Sequence, residues 1–280
     1  MKILKVKKLT FKQIIEQHNF HISAYKLIYY LSPTVKDLNS YQKNKDLAVD
    51  FDINEYQKLY TEVQENNKPI ERVTGKVFFC KHEFILLDDV FCPRHETESM
   101  VDYVNSQIKS NPELKKSSYI DLCSGTGVVG ISVLLANENN LKKATLVDIS
   151  EKATENIKKN LTKHKLKATV ITEDWYECIR NNNFEIITAN FPYVSRNDEI
   201  EDGLLDNEPP TALFAEKDGW EHYDKMIAFM NRNRNWKLVV MECSAYHEMK
   251  WKGIAKSYSR WKWKPMYDLN GKLRLVSIMR

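Results

Sequence analysis

The stretch Tyr119-Ile-Asp-Leu-Cys-Ser-Gly-Thr-Gly-Val-Val-Gly130 decides the fold. An apolar run ends at Cys123, and three glycines, Gly125, Gly127 and Gly130, fall within six positions before a helix-like stretch begins. The whole chain of 280 residues holds only eight glycines, so this cluster answers a backbone requirement. A tight strand-to-helix turn built on glycine lets main chain approach a ligand, with the free N–H groups of a helix N-terminus behind it. Gly-Thr-Gly-Val-Val-Gly also satisfies the G-x-G-x-x-G pattern, which keeps a dinucleotide site open as a reading. A tight turn with no ligand is the competing one.

Downstream, the run Ala144 to Val147 ends in Asp148 and Ile149, and Ser150 is placed to cap a helix with a buried stripe of Ala153, Ile157 and Leu161. A carboxylate at the end of that second strand is suited to accept both hydroxyls of a ribose. The runs Thr169 to Thr172, Phe184 to Ala189 and Leu238 to Met241 continue the series. Short apolar runs alternating with helical patterns predict an α/β fold with a mostly parallel sheet covered on both faces. Ligands of such sheets lie beyond the carboxyl ends of the strands. The closing segment Gly271 to Ile278 alternates like a strand at a sheet edge.

Upstream, residues 1–74 read as a small helical domain. Phe11, Ile14 and Ile15 recur at helical spacing, as do Tyr25, Ile28 and Tyr29, and a third such segment runs from Ile53 to Val63. Residues 75–92 read as a linking β-hairpin, from the short runs Val77 to Phe79 and Phe84 to Leu87. Residues 93–280 then form the α/β domain.

Composition sets the outer bounds. With 42 Lys+Arg against 38 Asp+Glu the net charge is +4, too balanced for a dedicated nucleic-acid binder, so no stable nucleic-acid partner is expected. The longest apolar stretch, Gly127 to Ala136, is half of the ~20 residues a helical membrane span needs. The basic start lacks an apolar secretory core, and Cys80, Cys92, Cys123, Cys178 and Cys243 form no CxxC pair. A cytoplasmic protein without membrane, metal or disulfides is expected, and the seven histidines show no metal-ligand spacing.

The second chemical signal is Asn190-Phe-Pro-Tyr193, where the fourth parallel strand ends beside the glycine turn. Asn190 offers an amide oxygen and the carbonyl of Phe191 a second acceptor. Pro192 stiffens the turn and Tyr193 offers a flat wall. Two acceptors and a flat wall suit a planar substrate bearing an NH2 group. Arg260-Trp-Lys-Trp-Lys264 reads either as an alternating edge strand or as a basic aromatic patch that stacks RNA bases.

In their order and spacing these motifs resemble the protein-(glutamine-N5) methyltransferases that modify peptide chain release factors. Pro93-Arg-His-Glu-Thr-Glu98 is similar to the Pro-Arg-Pro-Glu-Thr-Glu segment that opens the family's catalytic domain, and Asn190 to Tyr193 to its Asn-Pro-Pro-Tyr motif. Glu208-Pro-Pro-Thr-Ala-Leu213, Asp218-Gly219, and Asp268-Leu-Asn-Gly271 with Arg274 resemble its later signatures. The resemblance implies a Rossmann-like class I S-adenosylmethionine-dependent methyltransferase, with an antiparallel C-terminal strand. It implies donor binding by Asp121, Cys123, Ser124, Gly125, Thr126, Gly127, Asp148, Ile149, Asp174, Trp175 and Asn190, with Asp121 and its loop at the methionine end and Trp175 near the adenine. It also implies that Glu96 and Thr97 close over the donor, and that a monomer methylates the glutamine of a Gly-Gly-Gln loop in a release factor gripped by the helical domain.

Two departures stand out. Cys123 replaces the loop's first glycine, which is tolerated if its backbone angles are ordinary. Phe191 replaces the first proline of Asn-Pro-Pro-Tyr; it keeps the carbonyl but needs a place to pack. Three other readings remain: an adenine-N6 methyltransferase acting on DNA or RNA, an NAD-dependent oxidoreductase, and a catalytically weak methyltransferase-like binding module.

Overall fold

The computed structural model describes residues 9–200 and 204–280, so the first eight positions of the stretch read as helical lie outside the described residues. Two compact units meet in sequence between Lys76 and Val77. In the first, helices Phe11–Gln17, Ile22–Leu31 and Ile53–Glu65 bury Ile14, Ile15, Leu27, Ile28 and Tyr56 in one core. A capping box in which Thr10 and Gln13 bond each other's backbone starts the first helix. Two further helices, Leu38–Asn44 and Ile70–Thr74, carry one buried residue each, Tyr41 and Ile70, and so show no apolar period in the sequence.

The second unit opens inside the expected link. Strands β1 (Lys76–Phe79) and β2 (His82–Ile85) form a hairpin around Cys80 and Lys81, both at positive φ (48° and 66°), as the tightest hairpin turns require. Val77, Phe79 and Phe84 belong to the core that also buries Met100, Val104, Val128 and Ile131. Two buried asparagines of helix Glu151–Lys163 hold the strand that follows. Asn160 accepts from the Ile85 N–H (2.7 Å) and donates to the Ile85 and Thr126 carbonyls (both 3.0 Å). Asn156 accepts from the Leu87 N–H (2.9 Å) and donates to the Ile85 carbonyl (2.8 Å). The helix is thus bonded both to the hairpin and to the glycine turn.

The remaining strands are β3 (Ser117–Leu122), β4 (Leu141–Asp148), β5 (Thr169–Thr172), β6 (Ile186–Ala189), β7 (Leu238–Glu242), β8 (Lys262–Tyr267) and β9 (Leu273–Met279). They form one sheet in the order β5-β4-β3-β6-β7-β9-β8, with β9 antiparallel to both of its neighbours and the first five strands parallel. The inserted antiparallel strand departs from the six-stranded dinucleotide-binding order, which removes the main support for an oxidoreductase. It also corrects one expectation: the closing segment is not an edge strand. β9 is paired on both sides; Arg274 pairs with Asp268 (2.9 Å) and Ser277 is buried. The edge is β8, whose Pro265 fits an unpaired side, as the Arg260 to Lys264 pattern suggested.

Replacing Asn160 by Ala strips three hydrogen bonds from a buried site. Stability is expected to fall by about 2 kcal/mol, read as a lower urea midpoint; an unchanged midpoint would show that the hairpin is held without it.

Candidate functional site

Strand register brings the chemistry-bearing residues into one row. Asp148 pairs with Thr172, Leu122 with Val147 and with Ala189, and Ala189 with Met241. The ends of β4, β3, β6 and β7 therefore deliver Asp148, Cys123, Asn190 and Glu242 side by side at the carboxyl edge.

The glycine turn has the form expected of a ligand cradle. Gly125 (φ 54°) and Gly127 (φ 80°) are left-handed, and a Cβ added at Gly125 would meet nothing within 4 Å. Open space thus faces the main chain where a ligand would approach. Asp148 Oδ2 accepts from the Gly125 N–H (2.8 Å) and Oδ1 from the Ser150 N–H (2.9 Å). Each oxygen keeps a lone pair for a hydroxyl. Ile149, next in line, is 67% exposed, an apolar face left open beside the carboxylate. Ser124 and Thr126 look inward: Ser124 Oγ donates to the Asp121 carbonyl (2.7 Å), and Thr126 is buried with its carbonyl on Asn160. This donor set fits a nucleoside with a free ribose diol. The expectation for Cys123 fails, because its φ of 51° is left-handed, a conformation that costs a side chain about 1–2 kcal/mol.

Of the residues expected at the donor, Asp121 and Trp175 are buried and Asp174 is half-buried. Asp121 is 2% exposed; its oxygens accept from the Thr188 hydroxyl (2.6 Å) and the Gly130 N–H (3.1 Å), tying β6 and the helix to β3. Burial pushes its carboxyl up to about 7, against those two hydrogen bonds. Trp175 is 4% exposed, and its Nε1 donates to His222 Nδ1 (3.1 Å), so it forms the floor of the site and not its open wall. Asp174 caps that helix, accepting from the Tyr176 and Glu177 N–H groups. Phe191 has found its packing place: its ring lies 4.6 Å from Trp175 and 5.4 Å from His222 between centroids. The rigidity that proline would give the loop comes instead from an anchored side chain.

Asn190 is half-buried and its carboxamide finds no hydrogen-bond partner among the described residues. Pro192 and Tyr193 follow, both half-buried. The Tyr193 hydroxyl donates to Glu242 Oε1 (3.4 Å), and Thr97 Oγ1 donates to Oε2 (2.6 Å). Burial raises the carboxyl of Glu242 and the phenol of Tyr193. Thr97 is buried and bonded to Glu242, while Glu96 is exposed. Glu242 was missed in the sequence, although a charge ending an apolar strand is the signal that marked Asp148. The loop is clamped from outside. Gly219 (φ 76°) comes so close that an added Cβ would sit 2.0 Å from the Tyr193 carbonyl oxygen, and Val194 exchanges backbone bonds with Leu213 and Ala215. Glu208 accepts from the Cys92 N–H (2.9 Å) and pairs with Arg94 (3.0 Å), joining two of the family-like motifs.

Comparison with known proteins agrees with this geometry. Residues 84–206 match the methyltransferase small domain. The fold is that of a Rossmann-like class I methyltransferase. Within it the chain is similar to a release factor glutamine methyltransferase of Mycoplasma mycoides, 32% identical over 186 residues that cover 64% of each chain. A namesake in Leptospira interrogans is 33% identical over 55% of this chain and 54% of its own. The resemblance read from the motifs therefore stands, although the chain spans less than two thirds of the length of the curated relatives it matches. Among solved structures, the hMettl16 catalytic domain superposes with a TM-score of 0.51 at 11% identity, covering 80% of both chains. A T. thermophilus 16S rRNA methyltransferase holding AdoMet and guanosine gives 0.50 at 13%, covering 73% of this chain and 49% of its own. At these identities the two structures speak for the fold alone.

Two outcomes follow from the packing and charge. Gly219→Ala forces a methyl into the Tyr193 carbonyl at a left-handed position, and a loss of about 3 kcal/mol or more is expected in thermal unfolding. For Asp121, the folded state keeps a proton that the unfolded chain releases, so its contribution to stability falls as pH rises from about 4 to about 7. Asp121→Asn should therefore gain stability relative to the parent across that window and level off above it. Urea titrations at successive pH values measure this, and a pH-independent difference would refute the assignment.

Proposed function

We propose that this chain transfers a methyl group from S-adenosylmethionine to the side-chain amide nitrogen, N5, of the glutamine in the Gly-Gly-Gln loop of a peptide chain release factor. One observation carries the reading: an unpartnered, half-buried carboxamide at Asn190, set by strand register between the glycine turn and the Tyr193–Glu242 pair.

When bound, the donor supplies an electrophilic methyl on a sulfonium. The chain's residues hold it and aim the acceptor. Asp148 takes the ribose diol with its remaining lone pairs, and Ile149 covers the purine. The glycine turn brings main chain to the methionine end. An amide nitrogen is a weak nucleophile, its lone pair being shared with the carbonyl. Asn190 Oδ1 and the Phe191 carbonyl accept its two hydrogens, which draws electron density onto nitrogen and fixes it on the line of attack. Acceptors already in place as positive charge develops on nitrogen lower the barrier without reorganisation. Tyr193, held by Glu242 and through it by Thr97, keeps the amide plane. The amide lone pair so aimed would take the methyl that the donor supplies, with the sulfur keeping the electron pair of the broken bond, and the surplus proton would pass to water.

The helical unit supports a protein substrate. Phe20, Ile22, Leu38 and Leu47 are each more than half exposed, a set of large apolar side chains suited to gripping the body of the factor.

Mass spectrometry of a release factor incubated with enzyme and donor tests the reading. A single methyl on the loop glutamine, absent from a Gln→Ala factor, is expected. Asn190→Ala should lower turnover by about 10²–10³ while calorimetric donor binding persists. Methylation elsewhere, or near-parental turnover in the variant, would overturn it.

A further inference from the structure

The opposite end of the sheet carries the opposite charge. Asp121, Asp148, Asp174 and Glu242 gather at the carboxyl edge. Where the parallel strands begin, a groove of about 890 Å³ is lined by Lys142, Arg234, Lys237, Lys262 and Arg280 against only Glu113 and Glu185. Lys237 is committed to Glu185, Nζ to Oε1 at 2.6 Å, and Arg280 donates to the Arg234 carbonyl while keeping its charge. Lys142, Arg234 and Lys262 are exposed and meet no carboxylate among the described residues. The near-neutral balance of the whole chain hides this separation.

We infer that this groove binds the phosphate backbone of single-stranded RNA. Uncompensated cations in a concavity concentrate a polyanion. None of the large exposed apolar side chains lines the groove, so nothing there would insert into a lipid surface. A groove of this volume admits a few nucleotides of one strand, whereas a duplex presents its phosphates on a convex rod. The cations alternate with amides: Asn235 Nδ2 donates to Asn183 Oδ1 (2.7 Å), and Asn111 also lines the groove. The free Asn235 carbonyl and Asn183 amino group can accept from and donate to a 2′-hydroxyl, the group that separates RNA from DNA. Base stacking plays no part. Trp236 and Trp261 are buried against each other, and Trp263 turns inward toward Trp251 and Trp261, so the aromatic residues of the Arg260 to Lys264 stretch serve the core. Binding is therefore indifferent to sequence and steep in salt.

Fluorescence anisotropy of the full chain with a labelled oligouridylate of about a dozen nucleotides tests this, with the matching oligodeoxythymidylate alongside, between about 50 and 200 mM salt. The double variant Lys142→Ala, Lys262→Ala should bind about tenfold more weakly at the low end and lose about 1.4 from the slope of log affinity on log salt. Lys142→Arg, Lys262→Arg should retain parental binding. No binding of the oligouridylate, equal binding of the DNA strand, or an unchanged slope in the alanine variant would each overturn the inference. Release-factor methylation is a separate readout, since none of these residues touches the crevice.

Discussion

Strands that stop in register are the constraint on which the rest depends. Parallel pairing fixes β4, β3, β6 and β7 relative to one another, and each ends at, or one residue before, a group with chemistry to do. Backbone hydrogen bonds, and not the side chains themselves, set the spacing of Asp148, Cys123, Asn190 and Glu242. A slip of one residue in β6 would turn Asn190 to the wrong face. Apolar burial on both faces prevents that slip, because Ile186, Ile187 and Ala189 are fully enclosed.

On that frame the site is made by second-layer ties. Asp121 spans three elements, Asn160 joins the hairpin to the glycine turn, and Glu242 collects a threonine from the segment before the sheet and a tyrosine from the Asn190 to Tyr193 loop. Burial raises the carboxyls of Asp121, Asp148 and Glu242, so each is held at some electrostatic cost.

Much of this was legible in the chain. The glycine cluster, the acid after the second apolar run and the Asn-Phe-Pro-Tyr loop each announced a strand end, because local backbone demands leave local marks. The failures share a physical cause. Cys123 looked harmless because φ is invisible in a residue name. The burial of Asp121 and Trp175 was not visible because polarity and aromaticity do not say which way a side chain turns. The closing strand looked like an edge because alternation reports one buried face and is silent about pairing on the other side. Asn160 and Glu242 escaped because a buried polar group is defined by partners far away in sequence, 75 positions off for Ile85 and 145 for Thr97.

Phe191 shows how the turn at Asn190 is held without a proline at that position. The ring fills the space between the Trp175 indole and the His222 imidazole, with Tyr223 edge-on beneath. Loop stiffness here comes from a side-chain socket made by residues some 16 and 31 positions away, and not from a backbone torsion. A substitution that loosens Trp175 or His222 would therefore loosen the Asn190 to Tyr193 turn as well, far from either in sequence.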